Sequence, residues 1–207
     1  CAVRLAGSPW RDTEVERSEL ITFDPSVAVR GQGTALEVFY CYEAPEGVRL
    51  RHSADAGASF GAPWTIGAPG AHGGVVVATE SAAGGAPRVD VVYLADTETG
   101  LEARVRRWPS FDGVDPGSDH LLAGSSARRL AGDVVEVTAV SWLGLDAVRH
   151  GDDLLVAYHT RTMEQESPSS GTPPPARTAN LAPAGLVGPL TPPDPACRST
   201  LRLARLD

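Results

Sequence analysis

Short apolar runs separated by turn residues dominate the hydrophobic pattern of the chain. The runs are rich in valine, leucine and tyrosine, and glycine, proline, aspartate and serine bound them, which is typical of strands joined by tight turns. The predicted strands are SVAV (26–29), LEVFYCY (36–42), GVRLR (47–51), GVVVAT (74–79), VDVVYLA (89–95), LEARVRR (101–107), VVEVTAV (134–140), DLLVAYHT (153–160) and STLRLARL (199–206). The closest candidate for an amphipathic helix, around residues 12–20, is polar and forms a turn of helix at most. The pattern therefore predicts an all-β protein.

An apolar-x-Val-x-Tyr pattern occurs three times, ending at Tyr40, Tyr93 and Tyr158. The first two copies continue in the same register, since Gly47 and Gly100 follow their tyrosines at the same distance and each begins an arginine-bearing strand. An Ala-Val-Arg strand precedes the first and the third copy. The unit is thus a strand, a turn, a strongly apolar strand, a second turn and an arginine-bearing strand.

A fourth strand of the first unit is predicted at residues 63–66, after the segment HSADAGASF. Four antiparallel strands in roughly 50 residues are typical of a propeller blade. The strong middle strand is apolar on both faces, as expected when neighbouring blades cover it on both sides. An immunoglobulin-like sandwich also uses short strands, but it does not predict a repeat that stays in register. We therefore predict a β-propeller of four-stranded antiparallel blades.

The chain has room for about three to four blades, and a closed propeller needs at least about four. It is therefore either a small ring or part of a larger ring that a second protein chain completes. Residues 1–25 are expected to form an N-terminal segment with strands of a partial blade, and residues 26–207 the blades themselves. A Pro-rich insertion, about 164–197, interrupts the third copy. The start at Cys1 and the single Met163 favour a processed chain or a fragment.

Composition and spacing exclude several function classes. The net charge of −8 disfavours a nucleic-acid groove, and no apolar run approaches the ~20 residues of a transmembrane span. The histidines lack metal-ligand spacing, and the glycine-rich stretch GAPGAHGG precedes a strand rather than a phosphate-binding helix. Asp112, Asp115 and Asp119 crowd one loop and have the right chemistry for Ca²⁺, but a solvated acidic turn is the favoured interpretation. We expect neither a metal nor a cofactor.

The three cysteines have different contexts. Cys41 lies within an apolar strand and is predicted to be a buried free thiol. Cys1 is either the lipidated first residue of a bacterial lipoprotein, a nucleophile with its own amine as base, or half of a disulfide. If the termini meet, Cys1 and Cys197 form that disulfide, which implies export. The expected location is bacterial and exported: periplasmic, outer-membrane-anchored or extracellular.

The segment HSADAGASF has the form Ser-x-Asp-x-Gly-x-x-Phe, with Ser53, Asp55, Gly57 and Phe60. It resembles the Asp-box, the bacterial neuraminidase repeat of sialidase-like β-propellers. Asp55 is suited to accept backbone N–H bonds across its turn, Gly57 to supply a positive φ, Ser53 to add a hydroxyl bond and Phe60 to bury its ring. In that family the motif lies on the outer edge, away from the substrate pocket, so the resemblance implies a structural role.

The same resemblance suggests glycoside hydrolysis as an activity. Active members of the family use three arginines, a Tyr–Glu pair and an aspartate for it. Their Phe/Tyr-Arg-Ile-Pro motif is missing here, and the candidate arginines recur by position, as expected for solvated blade faces; they are Arg49, Arg51, Arg104 and Arg202. We therefore assign no catalytic residue. The function hypothesis is a non-catalytic exported or envelope β-propeller subunit that binds or scaffolds a protein or a glycan. The alternative is a fragment of a sialidase-like glycoside hydrolase.

Overall fold

The protein is all-β, as the hydrophobic pattern predicts. The computed structural model describes residues 2–3, 11–13, 15, 23–67, 69–80, 88–98, 100–114, 116–130, 134–166 and 197–206. Within these ranges the only helical element is a 3₁₀ turn, Gly33–Ala35. The same residues contain no helix long and apolar enough to cross a membrane.

Three four-stranded antiparallel sheets follow one another along the chain, each with its strands side by side in sequence order. Sheet 1 contains β3 (Phe23–Arg30), β4 (Glu37–Ala44), β5 (Gly47–Ser53) and β6 (Trp64–Thr65). Sheet 2 contains β7 (Ala71–Thr79), β8 (Arg88–Thr97), β9 (Gly100–Trp108) and β10 (Ser118–Ala123). Sheet 3 contains β11 (Ser126–Arg129), β12 (Val134–His150), β13 (Asp153–Glu166) and β14 (Cys197–Leu206). A separate pair joins β1 (Ala2–Val3) to β2 (Arg11–Asp12).

The repeat in the sequence is also a repeat of strand register. In each sheet the tyrosine of the apolar strand lies directly opposite an arginine of the next strand. The three pairs are Tyr40 with Arg51, Tyr93 with Arg104 and Tyr158 with Arg202. The strand that precedes the tyrosine-bearing strand is also in the same register in each sheet. Its residues Val29, Val76 and Ala147 each lie opposite the valine that is two residues before the tyrosine.

Sheet 3 departs from the predicted strand bounds. The sequence pattern predicts one strand at 134–140 and a separate Ala-Val-Arg strand at 147–149, but the structure has one continuous strand of 17 residues, β12. A shift of register between Ser141 and Leu145 absorbs the extra residues, as a β-bulge does. The first part of β12 pairs with β11, and only the later part corresponds to β3 and β7.

Sheet 2 lies between the other two sheets, and β8 is buried on both faces. Val89, Val91 and Tyr93 pack in one core with side chains of sheet 1. Val92 and Leu94 pack in two further clusters with side chains of sheet 3. This position between two sheets explains why VDVVYLA is a continuous apolar run rather than an alternating one.

The limits of the N-terminal segment, 1–25, and of the Pro-rich insertion, 164–197, remain predictions. β13 ends at Glu166 and β14 begins at Cys197, and residues 167–196 lie outside the described part of the chain. Most of residues 1–22 also lie outside it.

Candidate functional site

A network of short hydrogen bonds organises the turn after β5, residues 53–61. The hydroxyl of Ser53 donates to Asp55 Oδ1 at 2.7 Å and accepts the N–H of Gly57 at 2.8 Å. Asp55 also accepts the N–H of Ser59 on Oδ1 at 2.9 Å and its hydroxyl on Oδ2 at 2.6 Å. The Asp55 carboxylate thus accepts hydrogen bonds from residues on both sides of it in the turn.

The bonds from Ser59, followed by that from Ser53, lower the pKa of Asp55 from 3.8 to about 2, since donors stabilise the charged form. Gly57 has φ 80° and is buried, and Ala56 before it has φ 58°. Two consecutive residues with positive φ make the turn sharp, and the glycine adopts that conformation without the steric cost of a side chain.

Three contacts fasten the 53–61 turn to its surroundings. The N–H of Ala56 donates to the carbonyl of Leu36 at 2.9 Å, and the hydroxyl of Thr13 donates to the carbonyl of Gly57 at 2.6 Å. Phe60 is half-buried, with its ring 6.5 Å from that of Tyr40. The turn therefore ties β5 to the segment before β4 and to the N-terminal region. This geometry stabilises a sheet edge and leaves the Asp55 carboxylate occupied.

The recurring arginines each bind groups of their own sheet. Their partners are Glu46 for Arg49 (3.0 Å), the carbonyl of Gly61 for Arg51 (3.0 Å), Glu102 (2.7 Å) and Asp119 (2.8 Å) for Arg104, and the hydroxyl of Thr160 for Arg202 (3.5 Å). Because these partners are local, the structure does not bring the four guanidinium groups together around a common ligand.

Asp112 and Asp119 of the acidic loop bind separate partners. Asp112 Oδ1 accepts the N–H of Val114 at 2.9 Å, as an aspartate in a turn does. Asp119 belongs to β10, where it accepts the hydroxyl of Tyr93 at 2.9 Å and pairs with Arg104. Asp115 lies outside the described residues, and the part of the chain that the structure describes holds no cluster of metal-ligating side chains.

A buried ion cluster that the sequence pattern does not predict lies between sheets 2 and 3. Asp90, the third residue of β8, has no solvent exposure, and it accepts hydrogen bonds from Arg107 Nε at 2.9 Å and Arg149 Nε at 2.9 Å. A second donor of Arg149, Nη2, also binds Asp90. The signal in the sequence was a single carboxylate inside the apolar run VDVVYLA, because a buried charge requires a partner. That partner, Arg149, belongs to another repeat.

A cavity of about 430 Å³ adjoins this cluster, and its lining includes Arg88, Arg149, Glu80 and Asp152. Burial, followed by the charge of Arg149, lowers the pKa of Arg88. Arg149 itself binds Asp90 and the carbonyl of Asp152 at 2.7 Å. With its donors occupied in this way, Arg149 connects two sheets, and the cluster is best described as a structural clamp.

A second cavity, of about 310 Å³, is lined by His52, Trp64 and Phe111 among others. The His52 ring stacks on Phe39 with 4.7 Å between centroids, and Phe111 meets both rings edge-on. Burial lowers the pKa of His52. These aromatic side chains close one end of the core between sheets 1 and 2.

Cys41 is a buried free thiol, as the sequence predicts, and burial raises its pKa from 9.0 to about 12. The predicted Cys1–Cys197 disulfide stays a prediction, because Cys1 and the side chain of Cys197 lie outside the described residues.

Comparison with protein-family models, with curated proteins and with solved structures finds no significant match to this chain.

Proposed function

We propose that the three sheets are successive blades of a β-propeller and that the chain is a non-catalytic scaffold that binds protein through its blade faces. The shared Tyr–Arg register and the stacking of the sheets in chain order support this arrangement. Radial repetition of four-stranded sheets is the defining arrangement of propellers.

Equivalent positions of the three sheets differ in burial, and this difference supports the proposal. The residue before the paired arginine is Leu50 in sheet 1, Ala103 in sheet 2 and Leu201 in sheet 3. Leu50 and Ala103 have no solvent exposure because the next sheet covers them, whereas Leu201 is 64% exposed. A position that is buried core in the first two sheets is therefore apolar and open in the third.

The outer face of sheet 1 lies at the other end of the stack. It also has valines that are exposed although the equivalent valine of sheet 2 is buried. Val76 of sheet 2 is 4% exposed in the core against sheet 1, and Val29, at the equivalent position of sheet 1, is 57% exposed. Val27, on the same face, is 50% exposed. On sheet 1 this exposure is confined to β3, because Val38 and Tyr42 of β4, on the same face, are buried within the chain.

Large contiguous apolar patches on a protein surface mark interaction sites. The outer face of sheet 3 and the exposed valines of β3 are apolar, as the internal sheet–sheet interfaces are, so the partner they fit is another β-sheet of the same kind. A glycan would instead need polar groups that converge on an aromatic platform. We therefore place the partner surface on the blade faces and assign it to protein.

The 53–61 turn belongs to this proposal as the Asp-box of the first blade, with Ser53, Asp55, Gly57 and Phe60 in structural roles. The proposal also includes export of the chain, which the predicted Cys1–Cys197 disulfide implies. The intact mass before and after reduction would test the disulfide, and the same spectrum would reveal a lipid on Cys1.

Hydroxyl-radical footprinting of the protein purified from its native source tests whether the faces are binding surfaces. We expect Leu201, Leu203 and Val29 to be protected, while Val114, which is 79% exposed in a loop, reacts freely and serves as the control. Equal reactivity at all four positions would contradict the proposal. Protection that is lost on adding a soluble glycan would point to a glycan, and hydrolysis of a fluorogenic sialoside would contradict a non-catalytic role.

A further inference from the structure

We propose that the cavity between sheets 2 and 3 binds phosphate, as the free ion or as the monoester of a small molecule, and that Arg88 is the residue that holds it. The cavity measures about 430 Å³ and adjoins the buried cluster at Asp90. It lies between two sheets rather than on an outer face, so the site is independent of the proposed partner surface.

The strand register places Arg88 and its neighbours on the side of sheet 2 that faces sheet 3. Arg88 is the first residue of β8 and lies two residues before Asp90, so both side chains are on one face of the strand. Arg107 lies opposite Asp90 on β9, and Thr79 lies opposite Arg88 on β7. Arg149 reaches the Asp90 carboxylate from sheet 3. Three guanidinium groups therefore gather near a single buried carboxylate.

This cluster carries more positive than negative charge. Asp90 has no solvent exposure and binds Arg107 and Arg149, while Arg88 adds a third cation. Burial, followed by the charge of Arg149, lowers the pKa of Arg88, because like charges disfavour the protonated form. One carboxylate leaves two of the three positive charges uncompensated. A phosphate group, with a charge of about −2 at neutral pH, would neutralise them.

Arg88 also has a donor that no protein group uses. Its Nη1 donates to the carbonyl of Asp152 at 3.4 Å, and Nη1 of Arg149 donates to the same carbonyl at 2.7 Å. The two guanidinium groups therefore lie close together at the cavity, which both of them line. The Nε of Arg88 is buried and has no hydrogen-bond partner within the part of the chain that the structure describes. An anion would satisfy this donor, since a guanidinium binds phosphate through two parallel N–H groups.

The rim of the cavity differs from its inner end. Glu80 and Asp152 line it as well, but both residues are exposed. Solvent and salt screen exposed charges far more than buried ones, so these carboxylates oppose an anion less than the arginine cluster favours it. Thr79, which also lines the cavity, can add a hydroxyl donor.

The test is isothermal titration calorimetry of the full chain with inorganic phosphate, in a phosphate-free buffer of low ionic strength. We expect wild type to bind one phosphate. Arg88→Gln should raise the dissociation constant at least about tenfold, because it removes a charge and the Nε donor. Arg128→Gln is the matched control, because it removes the same charge from a side chain that is 74% exposed in β11. It should bind phosphate as wild type does.

Arg88→Lys separates the charge from the donor geometry. Lysine keeps the positive charge but lacks the Nε group and the planar fork of arginine. It should bind phosphate more weakly than wild type and more tightly than Arg88→Gln. If Arg88→Gln failed to fold in far-ultraviolet circular dichroism, this variant would decide, because a dissociation constant equal to that of wild type would contradict the role of Nε.

The proposal would be overturned if wild type bound no phosphate, or if wild type and Arg88→Gln bound it equally. Acetate that displaced phosphate at equal concentration would show a carboxylate site instead and would also overturn it. Glycerol phosphate distinguishes the two sources of the ligand. Tighter binding than inorganic phosphate would support a phosphorylated small molecule, and weaker binding would support the free ion.

Discussion

Asp55 is exposed, yet it fixes the conformation of an entire turn through bonds from the residues on either side of it. The sequence was sufficient to predict which residue types form these bonds, because a serine, an aspartate and a glycine at short spacing interact locally. It did not indicate Ser59 as the main partner of Asp55, because the pattern Ser-x-Asp-x-Gly-x-x-Phe leaves position 59 unspecified. It also did not indicate the contact from Thr13 to Gly57, because Thr13 lies in a distant segment of the chain.

Substitution of Asp55 by alanine should lower the melting temperature, because it removes three acceptor bonds at once. The pKa of Asp55 is about 2 in the folded protein against 3.8 ordinarily, so its contribution is complete above about pH 4 and disappears as the pH falls towards 2. Circular dichroism melts across this range should show a smaller pH dependence for Asp55→Ala than for wild type. Asp96→Ala, at an exposed position in β8, is the control, and an equal change in both variants would contradict this role.

Cys41 should resist modification in the folded protein. Its side chain is buried and its pKa is raised to about 12, so neither access nor the reactive thiolate is available at neutral pH. Iodoacetamide should label Cys41 only in denaturant, as peptide mass spectrometry would show. Rapid labelling of Cys41 under native conditions would mean that β4 is not covered by sheet 2.

At the scale of elements, strands were predictable wherever apolar residues alternate or run continuously, because that signal is local. The polar strands β10 and β11 were missed, since SDHLLA and SARR lie at sheet edges and are largely exposed. The carboxylate of Asp90 inside an apolar run indicates a buried partner, but the partner itself was not predictable, because Arg149 comes from another sheet and no local pattern joins the two residues. The long β12 differs from the prediction because a bulge carries the strand past the expected break.

Asp90→Ala should lower the free energy of unfolding by about 3–5 kcal/mol, because Arg149, with a side chain only 3% exposed, would lose its buried counter-charge. Urea unfolding monitored by tryptophan fluorescence would measure the change. The double variant Asp90→Leu with Arg149→Met removes both charges and should recover part of the loss. A double variant as unstable as Asp90→Ala would show that the ion pair itself, rather than an isolated charge, decides the stability.

Gly74 should not tolerate a side chain. A Cβ there would overlap the Sγ of Cys41 and lie 2.7 Å from Cγ1 of Val48, so β7 approaches sheet 1 too closely for alanine. We expect Gly74→Ala to cost about 1–3 kcal/mol in urea unfolding, and the added change Cys41→Ala to restore part of it. Gly61→Ala is the control, because its Cβ would meet only the carbonyl of His52 at 3.6 Å. If both glycine variants lost the same stability, close packing would not be the cause.

At the scale of the whole molecule, the repeat was predictable because the same spacing of tyrosine, glycine and arginine recurs along the chain. The sequence did not show which positions are covered, since Leu50 and Leu201 are the same residue type and only the structure distinguishes a buried from an open face. The proposed function rests on that difference, because the open apolar face of sheet 3 is suited to contact with a further sheet.

The most direct test of the central claim is the rotation that relates neighbouring sheets in a crystal structure of the assembled protein. If the sheets are propeller blades, one rotation about a common axis should superpose sheet 1 on sheet 2 and sheet 2 on sheet 3, with the Tyr–Arg pairs aligned. Unequal rotations, or sheets stacked without a common axis, would contradict the account.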